Sequence, residues 1–238
     1  MYMSDIVVRS MAFASAFFCV AALADYVVLE SNSEQFIPGQ IVTDLDAVEV
    51  GADTQLVLMS REGQTLSIDG SLGTAGESAS SSAAIKLMLA NLVTRTRDEH
   101  VSLGGTRGGM DSSSDNDTPV WSLNPYISGI QCVIERVNAH VYRTDTSTDL
   151  ELTVSRPGTN DSGLLNWSEG EHETEWPDEV PVVDGERYVI KREGWMESSV
   201  LQLQSIPEIA IDKETAAVAW LAAKKCIPQA EKLLNMLE

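Results

Sequence analysis

The stretch Thr54-Gln-Leu-Val-Leu-Met-Ser60, continued by Arg61-Glu-Gly63 and Gln64-Thr-Leu-Ser-Ile-Asp69, decides the fold class of the first half of the chain. Its second half alternates apolar and polar residues, as a strand with one buried face does. Glu62-Gly63 supplies a turn between the two apolar runs. The stretch therefore predicts a β-hairpin.

Similar patterns surround this hairpin. The run Tyr26-Val-Val-Leu29 and the alternating run Asp46-Ala-Val-Glu-Val50 predict further short strands, with a turn at Pro38-Gly39 between them. Together they predict a small N-terminal β unit over residues 25–72. Residues 73–82 are rich in Gly, Ser and Ala, which is typical of a linker.

A helix is expected next, from about Ala83 to Thr96, with Ser81 or Ser82 as its N-cap. Residues 73–97 are thus assigned to a linker and a helix that packs back on the β unit. Residues 98–119 contain many Gly, Ser and Asp residues and predict a second, flexible linker.

Short strand patterns return in residues 120–206 and predict a β-sandwich-like domain. The runs that carry this prediction are Gly129–Glu135, Ala139–Arg143, Leu150–Val154, Arg187–Lys191 and Val200–Leu203. Their alternation favours antiparallel sheets with one wet face. Residues 207–238 predict a helical hairpin that docks on the sandwich, with Asp212 as the first N-cap and Pro228 in the first turn of the second helix. The fold class is therefore mainly β with helices.

Residues 1–24 have the pattern of a cleavable signal peptide. Arg9 precedes an uncharged run of about 14 residues, which ends in Ala22-Leu-Ala24 before Asp25. Cleavage is expected between Ala24 and Asp25. The run is short for a membrane span, which needs about 20 apolar residues. An uncleaved anchor and a buried core helix remain as alternatives; after cleavage no stable membrane span is expected.

Charge and cysteine content agree with export. The formal net charge of −20 excludes nucleic acid and anionic lipid headgroups as expected partners, because both would be repelled. Cys19 would leave with the signal peptide, so that Cys132 and Cys226 remain for an oxidising compartment. A bridge between these two cysteines is predicted, and two buried free thiols are the alternative.

Catalytic and metal-binding patterns are weak throughout the chain. His100, His140 and His172 are not at metal-ligand spacing, and no Gly-x-Ser-x-Gly motif is present. The acidic stretch Glu169–Glu175 around His172 could offer metal ligands, or it could be a solvated turn. We therefore expect a non-enzymatic protein that requires no cofactor.

Two glycine- or aspartate-rich stretches and one tryptophan were also considered as sites. Asp111–Asp117 could hold Ca²⁺, but it lacks the order of an EF-hand loop. Gly104–Gly109 lacks the lysine that ends a P-loop. Trp195 is the tryptophan expected to be exposed, where it could contact a ligand, whereas the other four are expected in the core.

Residues 26–72 resemble the β domain of FecR-type periplasmic proteins. The similarity lies in Phe36-Ile-Pro-Gly-Gln-Ile-Val42, Ala47-Val-Glu-Val-Gly-Ala52, Gln55-Leu-Val-Leu-Met59 and Glu62-Gly-Gln-Thr-Leu66. The runs Glu175-Trp-Pro177 and Val183–Ile190 are similar to the tryptophan and tyrosine strands of Ig-like modules. We expect neither the cytoplasmic segment nor the membrane span of FecR regulators in this chain, so regulation of a sigma factor is not carried over from the resemblance.

The resemblance implies a periplasmic interaction or sensing module. We therefore expect a periplasmic or secreted binding or scaffold protein with a protein partner in the cell envelope. Two alternatives stand beside it. One is a hydrolase that acts on envelope polysaccharide or peptide, and the other is a structural envelope protein that oligomerises through sheet edges. The oligomeric state is left open.

Overall fold

The computed structural model describes residues 25–43, 45, 50–71, 74–77, 81–102, 117–194 and 198–237. The predicted signal peptide with Ala24 lies outside these residues, as do Gly104–Gly109, Trp195 and, except for Asp117, the acidic stretch that begins at Asp111. The first residue after the predicted cleavage site, Asp25, is described and forms an ion pair with Arg61.

The strands form two groups along the chain, one before and one after the first helix, and the other helices come last. The strands are Tyr26–Ser31 (β1), Ile41–Val42 (β2), Gln55–Ser60 (β3), Thr65–Asp69 (β4), Thr74–Glu77 (β5), Ser122–Leu123 (β6), Gly129–Ile134 (β7), His140–Tyr142 (β8), Leu150–Ser155 (β9), Ser162–Trp167 (β10), Glu173–Glu175 (β11), Arg187–Lys191 (β12) and Ser198–Ile206 (β13). The helices are Ser82–Ser102 (α1), Glu214–Ala223 (α2) and Ile227–Met236 (α3), with a short 3-10 helix at Glu208–Ile211. The predicted class, mainly β with helices, is confirmed.

The first sheet has the strand order β2-β1-β3-β4-β5. The predicted hairpin is its centre: β3 and β4 pair antiparallel, from Gln55 opposite Asp69 to Met59 opposite Thr65. Gly63 closes the turn with a φ of +79°, a conformation that glycine adopts without steric cost. The local alternation of apolar and polar residues and one turn residue were sufficient to specify this hairpin.

Two boundaries next to this sheet were predicted wrongly. Residues 74–77 form β5 rather than part of a linker, and they pair antiparallel with β4. An edge strand needs backbone groups more than apolar side chains, so Gly- and Ser-rich composition concealed it. Helix α1 continues to Ser102, beyond the expected end at Thr96 and into the predicted flexible linker. Ion pairs of Arg95 with Glu99 at 3.3 Å and of Arg97 with Glu231 at 2.8 Å accompany its polar second half.

The second β region forms a sheet of order β10-β9-β12-β13-β7 and a smaller sheet of order β11-β8-β6. The two sheets share one buried core, to which the smaller sheet contributes Leu123 and Val141 and the larger sheet contributes Leu152, Leu165 and Tyr188. The expected antiparallel pairing holds for most strands but is wrong at two places. The pairs β7–β13 and β6–β8 are parallel, because in each pair the chain passes through a strand of the other sheet before it returns, instead of turning back in a hairpin.

The C-terminal helices do not dock on the sandwich alone. Apolar residues of α2 share one core with β1, β3 and α1, while α3 packs on α1 and on β7. The physical reason lies in the sequence of α2, where every residue from Ala216 to Ala222 is buried. A helix that is apolar all round must be covered on all sides. The helical hairpin therefore completes the core of the N-terminal unit.

The N-cap of α2 also differs from the prediction. Asp212 ends the preceding 3-10 helix, and Lys213 is the N-cap residue. Helix α3 begins as predicted, with Pro228 in its first turn. Between the two helices the chain turns within Lys224, Lys225 and Cys226.

This turn is a Schellman motif with lysine at the position that usually holds glycine. The N–H of Cys226 donates to the carbonyl of Leu221 at 2.8 Å, and the N–H of Lys225 donates to that of Ala222 at 3.0 Å. Lys225 has a φ of +64°. A left-handed conformation places Cβ close to a backbone carbonyl oxygen, which costs about 1–2 kcal/mol in a residue other than glycine.

Replacing Lys225 with glycine should raise the free energy of unfolding by about 0.5–1 kcal/mol, because it removes this strain. Chemical denaturation of both proteins measures the difference. The matched control is Lys224→Gly. Lys224 has a φ of −83°, so the same substitution there should lower stability. Equal effects of the two substitutions would contradict the strain at Lys225.

Candidate functional site

Cys132 on β7 and Cys226 at the start of α3 are at disulfide distance. Their Sγ atoms lie 2.06 Å apart and their Cα atoms 5.7 Å apart. Both cysteines are fully buried. The structure thus brings together the pair predicted from the sequence, and it ties the turn between α2 and α3 to the edge of the larger sandwich sheet.

Gln229 strengthens the same junction from the first turn of α3. Its side-chain oxygen accepts a hydrogen bond from the Cys132 N–H at 2.6 Å, and its side-chain nitrogen donates to the Cys132 carbonyl at 2.9 Å. The amide therefore pairs with β7 as the peptide group of a neighbouring strand would. The same nitrogen donates to the Val120 carbonyl at 2.7 Å. The outer edge of β7 is closed by α3.

A groove of about 830 Å³ lies beside this junction. Its walls come from the segment that enters the sandwich, from the 3-10 helix and from α2 and α3. Its apolar lining residues are Pro119, Val120, Trp121, Ile211, Ala217, Pro228, Leu233 and Met236. Clefts that bind ligands have volumes of this order.

Acidic side chains surround the apolar lining of this groove. Asp117, Glu214 and Glu231 contribute carboxylates, and Lys232 is the one basic residue among the lining residues. The Lys232 ammonium donates to the Thr118 carbonyl, which holds the entering segment against α3. Arg97 forms an ion pair with Glu231 from outside the lining set. The groove can therefore accept apolar groups together with a positive charge.

The stretch Glu169–Glu175, considered above as a metal site, is used to enclose Arg143. This arginine is only 2% exposed. Its guanidinium donates to three backbone carbonyls, those of Glu171 at 2.9 Å, Thr148 at 2.7 Å and Ser168 at 2.7 Å. It also lies over the ring of Trp167, 5.9 Å from the centroid. Glu171 of this stretch, together with Thr148 and Ser168, therefore forms a cage of carbonyls around a buried cation.

His172 takes part in the same cage. Its Nδ1 donates to the Arg143 carbonyl at 3.0 Å, and its ring stacks on Tyr142 with centroids 5.3 Å apart. The proton on Nδ1 removes that nitrogen as a metal ligand. Glu171 accepts the Ser168 N–H, and Glu173 accepts the Ser122 hydroxyl. These contacts are structural.

Two titratable groups near the cage have shifted pKa values. Hydrogen bonds from the Ser147 side chain and backbone lower the pKa of the Asp145 carboxyl. Burial raises the pKa of the Tyr126 phenol, although the Arg143 charge acts in the opposite direction. Neither group lines the groove.

The remaining histidines do not join His172. His140 begins β8, and His100 lies near the end of α1. Within the described part of the chain, no group of three His, Cys, Asp or Glu side chains is arranged to hold a metal ion.

Sequence reasoning missed the groove. Trp121, expected in the core, is half-buried and contributes to the lining. The available signal was the run Thr118-Pro-Val-Trp121, an apolar segment with a proline directly after the predicted linker.

Comparison of the chain with protein-family models, with curated proteins and with solved structures found no match. In the part of the chain that the structure describes, no helix has the length and apolar character needed to cross a membrane.

Proposed function

We propose that this protein is an exported, non-enzymatic binding or scaffold module of the cell envelope, periplasmic or secreted, which holds a protein partner in the groove beside α3. The groove is the observation that carries the proposal. Its occupant is an extended peptide segment that combines apolar side chains with at least one lysine or arginine. The apolar side chains would pack on Trp121 and Leu233, and the basic group would lie near Glu214 or Asp117.

Charge complementarity supports this choice of occupant. The chain has a formal net charge of −20, and a protein field of one sign raises the association rate of an oppositely charged partner. At the groove itself, Glu231 is paired with Arg97 and the Lys232 ammonium is bonded to a carbonyl, while Asp117 and Glu214 contribute two further carboxylates. An acidic or purely polar peptide would meet both repulsion and an apolar surface that it could not cover.

Export is supported by features on both sides of residue 24. The N-terminal sequence has the signal pattern, and β1 begins at Tyr26, so cleavage before Asp25 would leave every described element intact. The cysteine pair at disulfide distance suits an oxidising compartment.

The family resemblances remain part of this proposal. The N-terminal sheet of short antiparallel strands is compatible with a FecR-like β domain. In the sandwich, the rings of Trp176 and Tyr188 meet edge to face at 5.2 Å. The Tyr188 hydroxyl donates to the Pro181 carbonyl and accepts the Val183 N–H, both at 2.8 Å. A tyrosine that bonds back to the preceding backbone is typical of Ig-like sandwiches.

Met236→Lys tests the groove. Met236 lines the groove and is 61% exposed, so the change should leave the fold intact while it removes an apolar contact and adds a repelling cation. We expect display of random peptides on the purified protein to enrich sequences that combine Leu, Phe or Trp with Lys or Arg. The variant should weaken binding of an enriched peptide by about tenfold or more, since loss of one apolar contact and gain of one repulsion exceed 1.4 kcal/mol.

The matched control is Leu87→Lys on α1. Leu87 is 64% exposed and outside the groove lining, so it makes the same chemical change on another surface. This control should bind the peptide as the parent protein does, and envelope pull-downs should show the same difference between the variants. No enrichment, equal loss in both variants, or turnover of a panel of envelope polysaccharides and peptides would overturn the proposal.

A further inference from the structure

The two edges of the larger sandwich sheet differ in what pairs with them. At one edge, the Gln229 amide and α3 close β7, as described above. At the other edge lies β10, whose residues hydrogen-bond to β9. Among the described residues, no further element pairs with β10. Strand β11 and the segment after it approach β10, with Pro177 against Gly163, but they do not pair with it. One edge of this sheet is therefore closed, and the other has no paired strand among the described residues.

Strand β10 carries none of the devices that usually block an edge. Its sequence Ser162-Gly-Leu-Leu-Asn-Trp167 has no charge and no proline. It pairs with β9 over all six residues without a bulge. Natural edge strands are commonly blunted by lysine, proline or a bulge, because open peptide groups template pairing with another strand.

The register shows which peptide groups point away from β9. Just before the strand, the Arg156 N–H donates to the Asp161 carbonyl at 3.1 Å, so this pair is of the hydrogen-bonded kind. The two kinds of pair alternate along an antiparallel ladder. The N–H and C=O groups of Ser162, Leu164 and Asn166 therefore point outward. The side chains of these three residues are exposed, with Leu164 at 48%.

We propose that β10 is a dimerisation edge at which a second copy of this chain adds antiparallel, with a two-fold axis through Leu164. In this register Leu164 faces Leu164, and Ser162 of each copy faces Asn166 of the other. All six outward groups of each strand then find partners. An arrangement in which one patch matches itself is what a closed two-fold dimer requires. The two sheets would join into one sheet of ten strands.

The cross-strand neighbours permit this register. On β9, Thr153 lies opposite Leu164, Ser155 opposite Ser162, and Glu151 opposite Asn166. Across the dimer axis, the row that contains Glu151 would continue through Asn166 to Ser162 and Ser155 of the second copy. No row sets two carboxylates against each other. The net charge of −20 on each copy opposes association over longer distances, and salt screens that repulsion. Dimerisation should therefore strengthen as the salt concentration rises.

Leu164→Cys in the mature chain tests the register directly. With Cys132 and Cys226 at disulfide distance, the new residue would be the free thiol. Residues directly opposite in an antiparallel pair have Cβ atoms about 4.5–5.5 Å apart. A short thiol–thiol cross-linker should therefore give a covalent dimer, more of it at 500 mM than at 50 mM salt. The control is Thr153→Cys, which is exposed on the same face but one strand in from the edge, and which should give little dimer.

Sedimentation velocity of Leu164→Pro gives a second, independent measurement. The Leu164 N–H points away from β9, so proline removes an outward donor without breaking the β9 ladder. We expect the dimer dissociation constant to rise by about tenfold or more, with an unchanged circular dichroism spectrum. A parent protein that stays monomeric at high concentration and high salt would overturn the proposal. Equal cross-linking of the two cysteine variants would also overturn the proposal. So would the finding that β10 pairs only with a strand of a different protein.

Discussion

Replacing Arg143 with methionine should lower the free energy of unfolding by about 3–5 kcal/mol. The guanidinium donates to the backbone carbonyls of Thr148, Ser168 and Glu171. Methionine keeps an apolar stem but offers no donor, so three part-buried hydrogen bonds to a charged group are lost. A hydrogen bond to a charged group contributes about 1.5–3 kcal/mol, and solvent access to these carbonyls keeps the total below the sum of three. Equilibrium denaturation in urea measures the change.

A second variant and a control distinguish loss of the guanidinium hydrogen bonds from loss of the positive charge. Arg143→Lys keeps the positive charge but cannot reproduce the planar fork, so it should still lose more than about 2 kcal/mol. Arg187→Met removes an arginine that is exposed on β12, and it should change stability by less than about 0.5 kcal/mol. The cage interpretation is wrong if Arg143→Met and Arg187→Met have similar effects, or if the lysine variant is fully stable.

Removal of both cysteines, as Cys132→Ala with Cys226→Ala, should lower the free energy of unfolding by about 2–5 kcal/mol. The bridge spans a sequence separation of 94 residues, and closing so long a loop restricts the unfolded chain strongly. It also holds α3 against β7, where Gln229 completes the edge. Reduction of the parent protein with a thiol reagent after unfolding should give the same stability as the double variant.

The comparison of oxidised and reduced parent protein is the control, because its sequence does not change. Alanine leaves only small cavities in place of the two buried sulfur atoms, so the cavity contribution is expected to be minor beside loop closure. A difference below about 1 kcal/mol between the oxidised and reduced forms would contradict the stabilising role of the bridge.

The features that sequence predicted well are local. The β3–β4 hairpin follows from alternating residues and the Glu62-Gly63 turn, since register in a hairpin is set by the turn itself. Helix α3 follows from Pro228 and the apolar residues around Leu233. Export, the protein partner and the family resemblance also rest on sequence, and they remain proposals. The cysteine pairing was predictable by count, because only two cysteines follow residue 24.

The features that sequence missed depend on contacts between distant residues. Strand β5 has no apolar pattern and is specified by the free edge of β4. Arg143 has no signal in its own segment, because its partners are backbone carbonyls that any sequence supplies. The groove exists only where Trp121 meets α2 and α3, and the open edge of β10 exists only because β9 occupies the other side.

By itself the sequence determined a mainly β chain with helices, since the spacing of apolar residues selects strand or helix within a few residues. Tertiary structure alone decided that the C-terminal helices complete the N-terminal core, that the acidic stretch around His172 encloses a cation, and that one edge of the larger sandwich sheet is closed while the other is open. The physical reason is that burial and hydrogen-bond pairing each need two surfaces in contact. The sequence of one segment specifies only one of these two surfaces.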